Sequence, residues 1–126
     1  MTIPGNGFTL AGTISRPASS APASRLPAVV LVGGSGPTDR DSLVFGVPVL
    51  GEIAGSLAEA GFVSIRYDKR GVGQSGGRAE SATFADYAED ARAAVRFLAD
   101  RKDVDPKRIA ILGHSEGGLV ALIAAD

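Results

Sequence analysis

The sequence runs to 126 residues, the length of a single domain able to bury roughly two thirds of its unfolded surface. Its 13 basic and 14 acidic side chains leave a net charge of −1, which implies neither nucleic acid nor an anionic membrane surface as a partner. Cysteine is absent, excluding disulfides and thiolate chemistry. No apolar run reaches the roughly 18 residues of a membrane span, and the start lacks the basic-then-apolar pattern of a secretory leader, so the cytoplasm is the expected compartment.

In chain order, residues 7–15 alternate with the two-residue period of a half-buried strand, Phe8, Leu10 and Ile14 lying near one face, and read as an antiparallel edge strand. Residues 16–27, rich in Pro, Ala and Ser, read as a mobile loop. Ala28-Val29-Val30-Leu31-Val32 is wholly apolar and bounded by Pro27 and Gly33, the pattern of a central parallel strand covered on both faces. It runs into the glycine-dense loop Gly33 to Asp41, where backbone N–H groups can approach a ligand closely. The alternative is a plain turn. If the loop binds, the Ser35 N–H is the first candidate donor and Gly34 the next, while Asp39, Arg40 and Asp41 are expected to pair locally.

Residues 47–60 place Leu50, Ile53, Ala54 and Leu57 on one helical face, with Pro48 in the first turn and Gly61 as the stop. Residues 62–67 form the next strand. The loop after it contains Gly71-x-Gly73-x-x-Gly76, which formally matches a dinucleotide fingerprint. That motif needs its glycines directly between strand and helix. Here Asp68 to Arg70 intervene, and the acids about twenty residues on, Glu89 and Asp90, fall within a helix, so a structural loop fixed by an Asp68–Arg70 ion pair is the preferred reading. Thr83-x-x-Asp86 resembles a capping box opening a helix to about Arg101. Its stripe of Phe84, Tyr87, Ala88, Ala91, Val95 and Leu98 is core, with no sign of a cofactor or metal site, and Asp86, Glu89, Arg92 and Arg96 make a solvated face. Asp105 to Arg108 reads as a tight turn with Pro106 at a helix-start position.

The chain then reaches Ile109 to Leu112, a short buried strand, and Leu119 to Ala125, an apolar run long enough for a helix. Between them lies Gly113-His114-Ser115-Glu116-Gly117-Gly118. A serine hydroxyl is a poor nucleophile unless it is presented where a base can reach it, and a sharp strand-to-helix turn does this. Gly113 and Gly117 stand where a Cβ would collide with the adjoining elements, and Gly118 is expected to relax the same contact. The helix start aims free N–H groups at the reacting centre, making the Glu116 N–H an oxyanion donor.

Strands alternating with amphipathic helices give an α/β fold with a mainly parallel, doubly wound sheet, and all three candidate loops fall at the carboxyl ends of its strands. The runs Gly33 to Asp41, Arg66 to Ser75 and Gly113 to Gly118 together resemble the N-terminal half of α/β-hydrolase fold enzymes, most closely bacterial esterases and serine-aminopeptidase-like hydrolases. The resemblance implies a catalytic Ser115, an oxyanion hole from the backbone N–H groups of Ser35 and Glu116, and a small ester or acyl substrate. It also implies a triad completed by a later acid and histidine. Only eleven residues follow Ser115 and none is histidine. Asp126 lies about 16 Å along the helix, and the single histidine, His114, should point away from the serine. Residues 1–126 are therefore expected to be the N-terminal part of one hydrolase domain, with later strands and helices missing, inactive alone and prone to self-association through an uncovered sheet edge. The alternative is a non-catalytic binding protein that keeps the turn as a relic.

Overall fold

The computed structural model describes residues 1–5, 7–18 and 25–126, so most of the stretch read as a mobile loop lies outside the described residues. In chain order the elements are β1 (Thr2–Pro4), β2 (Thr9–Ser15), β3 (Leu26–Val32), β4 (Leu43–Val44), β5 (Val47–Pro48), α1 (Val49–Glu59), β6 (Val63–Tyr67), α2 (Phe84–Ala99), β7 (Val104–Gly113) and α3 (Glu116–Ala125). Five strands form one sheet in the order β1-β2-β6-β3-β7, and β4 and β5 form a separate small hairpin. β6, β3 and β7 are parallel, while β2 joins β6 and β1 joins β2 antiparallel.

The run Ala28 to Val32 is continuous in apolar side chains because both faces of β3 are covered. Ala28, Val30 and Val32 enter one cluster with Ile65, Ala88, Ala91, Leu98 and Val120 under α2 and α3. Val29 and Leu31 enter a second cluster with Leu50 and Ala54 of α1. Burying a Leu such as Leu31 or Leu50 contributes about 1.5–3 kcal/mol each. The helices thus wrap the sheet on both sides and leave its carboxyl rim open.

Several boundaries differ from the sequence reading, each for a local reason. β2 is not the edge: β1 lies outside it, with Ile3 fully buried, and three residues ending in Pro4 are too few for a period to register. Val47 and Pro48 belong to the hairpin, so α1 starts at Val49 with Pro48 as its cap residue. Its end is as read, for the Phe62 N–H reaches Leu57 O at 2.9 Å and the Gly61 N–H reaches Ala58 O at 3.1 Å, a Schellman closure. The expected capping box is present, Thr83 N–H donating to Asp86 Oδ2 at 2.9 Å and Asp86 N–H to Thr83 Oγ1 at 3.2 Å. Asp105 to Arg108 is not a turn ahead of the strand but an excursion inside β7. Val104 already pairs with Leu26, and pairing resumes at Ile109 with Ala28, so the four residues stand opposite Pro27, which has no N–H for the ladder. Asp105 stitches the excursion, accepting from Lys107 N–H at 3.0 Å and Arg108 Nε at 2.9 Å.

Candidate active site

Three loops leave the carboxyl ends of the parallel strands side by side: residues 33–41 after β3, residues 68–77 after β6, and the turn at Ser115 after β7. The last is the sharpest. The His114 N–H still bonds Val32 O at 3.0 Å, and Ser115 then takes φ 57° and ψ −122° before α3 begins. Such a conformation costs on the order of 1–3 kcal/mol and persists where the surroundings impose it. Here backbone crowding imposes it. A Cβ on Gly113 would lie 2.1 Å from the carbonyl carbon and oxygen of Gly117, and one on Gly117 would lie 2.5 Å from the carbonyl oxygens of Val32 and Gly33. Gly118 is different from its expected role, since its Cβ would meet only Gly113 O at 3.8 Å, an ordinary contact.

Ser115 is exposed at the head of α3. Gly34 passes beside it: a Cβ there would stand 3.4 Å from Ser115 Cβ and 3.2 Å from His114 O. The His114 ring sits beneath the same loop, its Nδ1 buried without a partner among the described residues and 3.4 Å from that Cβ position. The N–H groups of Ser35 and Glu116 likewise have no partner among the described residues.

The charged side chains of the rim pair differently from the sequence reading. Asp68 does not pair with Arg70. Its Oδ1 accepts from the Arg40 N–H at 2.8 Å and Arg40 Nε at 3.2 Å, and its Oδ2 accepts from Arg40 Nη2 at 3.1 Å and the Gln74 N–H at 3.0 Å. Burial pushes the Asp68 carboxyl up, but the bonds from Arg40 and Gln74 outweigh it and hold the group below its ordinary range. Arg40 also donates through Nη1 to Gly12 O at 3.0 Å and Thr13 Oγ1 at 2.9 Å, so it ties the loop after β3 to β2 as well as to the loop after β6. Asp41 pairs with Arg66 at 3.3 Å, and of the three only Asp39 bonds locally, to the N–H groups of Asp41 and Ser42. Arg70 instead meets Asp90 of α2 at 2.7 Å through both Nε and Nη2. Burial raises the Asp90 carboxyl against the pull of Arg70. On the face read as solvated, Arg92 donates to Ile123 O and Ala124 O, closing the last turn of α3.

The glycines of residues 71–76 serve this packing. A Cβ on Gly73 would fall 2.5 Å from Asp68 Oδ2, and α2 begins only at Phe84, so the run does not open a helix as a dinucleotide fingerprint must.

Sequence reasoning misses Lys69. It is 7% exposed, donates from Nζ to Gly34 O at 2.8 Å and Gly36 O at 3.2 Å, and lies 4.5 Å from the centre of the Tyr87 ring. Burial pushes its ammonium pKa down, and the charge of Glu116 pulls the other way. The available signal was the alternation of Val63, Ile65 and Tyr67, which extended by one step reaches Lys69. Beside it opens a cleft of about 390 Å³ bordered by Gly36, Val72 and Tyr87.

At the far side of the sheet β7 is an edge. Leu112, Leu119 and Leu122 are 37%, 46% and 72% exposed, so α3, apolar nearly all round, is covered on only part of its circumference. Among the described residues no helix is long and apolar enough to cross a membrane.

A mainly parallel sheet wound by helices on both faces, with a serine at a crowded strand-to-helix turn on its carboxyl rim, defines the α/β-hydrolase fold, and solved structures agree. Est1E from Butyrivibrio proteoclasticus with ferulic acid bound superposes with a TM-score of 0.82 at 25% identity, covering 99% of this chain and 46% of that one. The hydrolase GrgF from Penicillium sp. sh18 gives a TM-score of 0.82 at 28% identity over 99% of this chain and 40% of its own. The chain belongs to the serine aminopeptidase S33 family, which matches it over residues 48–126. Curated relatives include the esterase EstD of Thermotoga maritima, 38% identical over 111 residues (88% of this chain, 26% of EstD). Another is the thiohydrolase apmlB of Arthrinium phaeospermum, 35% identical over 121 residues (93% and 36%). The chain therefore spans about a quarter to a third of the length of these two relatives.

Proposed function

We propose that the protein hydrolyses carboxylic esters or related acyl substrates through an acyl-enzyme on Ser115. The Ser115 Oγ attacks the carbonyl carbon and the alcohol or thiol leaves with a proton. Water then cleaves the acyl-serine, returning the hydroxyl and releasing the acid. The N–H groups of Ser35 and Glu116 receive the oxyanion of each tetrahedral intermediate. The observation that carries this reading is the strained, exposed Ser115 at the head of α3 with the loop at Gly34 3.4 Å from its Cβ across the vacant Cβ position. The names of EstD and apmlB, and the ferulic acid held by Est1E, favour small acyl compounds as substrates. The sequence contains one histidine, His114, whose Nδ1 is buried beside Gly34, so this reading gives no triad role to a histidine of these 126 residues.

A serine-directed fluorophosphonate tests the assignment. In the full-length protein the adduct is expected on the peptide containing Ser115, and Ser115→Ala is expected to lower turnover by about 10⁶. An adduct on any other residue overturns the assignment.

A further inference from the structure

We propose that Lys69 is a positioning residue for the oxyanion hole: by holding the carbonyl oxygens of Gly34 and Gly36 on one ammonium, it turns the Ser35 N–H toward Ser115. The inference rests on the roles proposed above for Ser115 and Ser35.

The geometry follows from the peptide bond. The chain contains no cis peptide among the described residues, and in a planar trans unit the carbonyl of one residue and the N–H of the next point in opposite directions. The Gly34 carbonyl points at Lys69 Nζ, 2.8 Å away, so the Ser35 N–H points away from Lys69, and it has no partner of its own among the described residues. Gly34 is also the loop residue beside Ser115. An N–H directed away from the lysine, on the peptide that follows the loop residue beside Ser115, is free to donate to an oxyanion formed on Ser115.

The first residues of the loop, Gly33 and Gly34, have no side chains to hold this orientation, and the side chains of Asp39, Arg40 and Asp41 anchor its far end. Gly33, Gly34 and Gly36 give the loop wide conformational freedom, and Gly36 sits at φ +83°. Lys69 removes that freedom from both its ends. Its backbone N–H bonds Thr38 O at 3.1 Å, while its Nζ bridges Gly34 O and, at 3.2 Å, Gly36 O. Three carbonyls of the loop are thereby fixed to one residue of the neighbouring strand end. The ammonium is in turn held by the Tyr87 ring, at 4.5 Å, and by the charge of Glu116, so the groups that replace its water shell come from the loop, from α2 and from the start of α3. Burying a lysine is costly unless its donors are used. Here they are used on the backbone that carries the proposed oxyanion donor.

The test uses the full-length protein and two readouts. Lys69→Met keeps the apolar stem and removes the donors. It is expected to lower kcat for p-nitrophenyl acetate about 10- to 100-fold with KM held within about threefold, because an aimed donor acts in the transition state. It is also expected to shift the Ser35 amide ¹⁵N resonance and raise its fast mobility by ¹⁵N relaxation. Lys69→Gln, with amide donors but no charge, is expected to fall between wild type and Lys69→Met in both readouts, and it carries the test should the methionine variant not fold. A folded variant with kcat within threefold of wild type, or with an unchanged Ser35 amide, overturns the proposal. A loss of stability with kcat intact well below the melting temperature also overturns it, since that marks a lysine that merely supports the fold. If wild-type turnover survives Ser115→Ala, the hydrolase reading fails by itself, and the Ser35 amide still decides whether Lys69 orders the loop.

Discussion

Two glycines five residues apart give opposite expectations for the same substitution. In Gly113→Ala the new Cβ meets backbone carbon and oxygen of Gly117 at 2.1 Å and Gly118 N at 2.3 Å. To restore an ordinary 3.4 Å contact, the start of α3 has to move by about 1.3 Å from β7, and none of the obstructing atoms belongs to a side chain that could swing aside. Overpacking of this kind costs about 1–3 kcal/mol and occasionally more, and backbone contact on all sides places Gly113→Ala at about 3 kcal/mol or above. In Gly118→Ala the Cβ has one neighbour at 3.8 Å, inside a helix, where alanine loses less chain entropy on folding. That variant should be stabilised by about 0.4–1 kcal/mol. Urea denaturation of the full-length protein, read by far-ultraviolet circular dichroism, measures both, and the fluorophosphonate adduct on Ser115 should be lost in Gly113→Ala and kept in Gly118→Ala. Equal stabilities for the two variants would refute the argument that crowding holds Ser115 in its strained conformation.

Three further outcomes are expected. Ser35→Ala should keep hydrolysis within a few-fold, whereas Ser35→Pro, which removes the N–H, should lower kcat by about 10²–10³, and a large loss in the alanine variant would show that the hydroxyl matters. Asp68 has a depressed pKa, so its contribution to stability is present above its ordinary value of 3.8 and is lost as pH falls below that value through the folded-state pKa. Asp68→Asn should therefore flatten the fall of unfolding free energy below about pH 4, and an unchanged acid slope would show that the Arg40 bonds contribute nothing. The 126 residues expressed alone should retain at most about 10³–10⁴ of ester hydrolysis over water and should self-associate through β7 and the exposed leucines of α3. A monomer by light scattering with turnover abolished by Ser115→Ala would refute both halves.

What was legible in the sequence was what local pattern determines. The apolar run at Val29 to Val32, the stripe of α2 from Tyr87 to Leu98 and the glycines Gly113 and Gly117 each carry their structural reason within a few residues, whereas Phe84, read as core, is 44% exposed because it stands at the first turn of α2. The ion pairs do not carry theirs so near. Arg40 finds Asp68 and Arg70 finds Asp90 across gaps of 28 and 20 residues, and a nearby opposite charge, such as Arg70 two residues from Asp68, is the wrong guide once the chain has left β6 and the two-residue alternation of a strand no longer places them on one face. Lys69 was hidden for the same reason, since a charged residue between two others in a loop reads as solvated until the fold closes over it. The excursion at Asp105 to Arg108 shows the converse: its turn chemistry was visible, but whether a turn precedes a strand or interrupts one depends on Pro27, a residue of another strand.

The position of β3 between β6 and β7 has a kinetic consequence. Ala28 pairs with Val63 on one side and with Ile109 on the other, so the central strand must close one loop of about 35 residues and another of about 81. Closing the longer loop costs only about 0.7 kcal/mol more entropy, too little to enforce an order by itself. Synthesis supplies the order instead. During translation, β6 leaves the ribosome about forty residues ahead of β7, and at typical elongation rates it has several seconds alone with β3. The strand that carries Ser115 then docks onto an edge already built, and of the three loops at residues 33–41, 68–77 and 115 the strained turn on which the proposed chemistry depends forms after the other two.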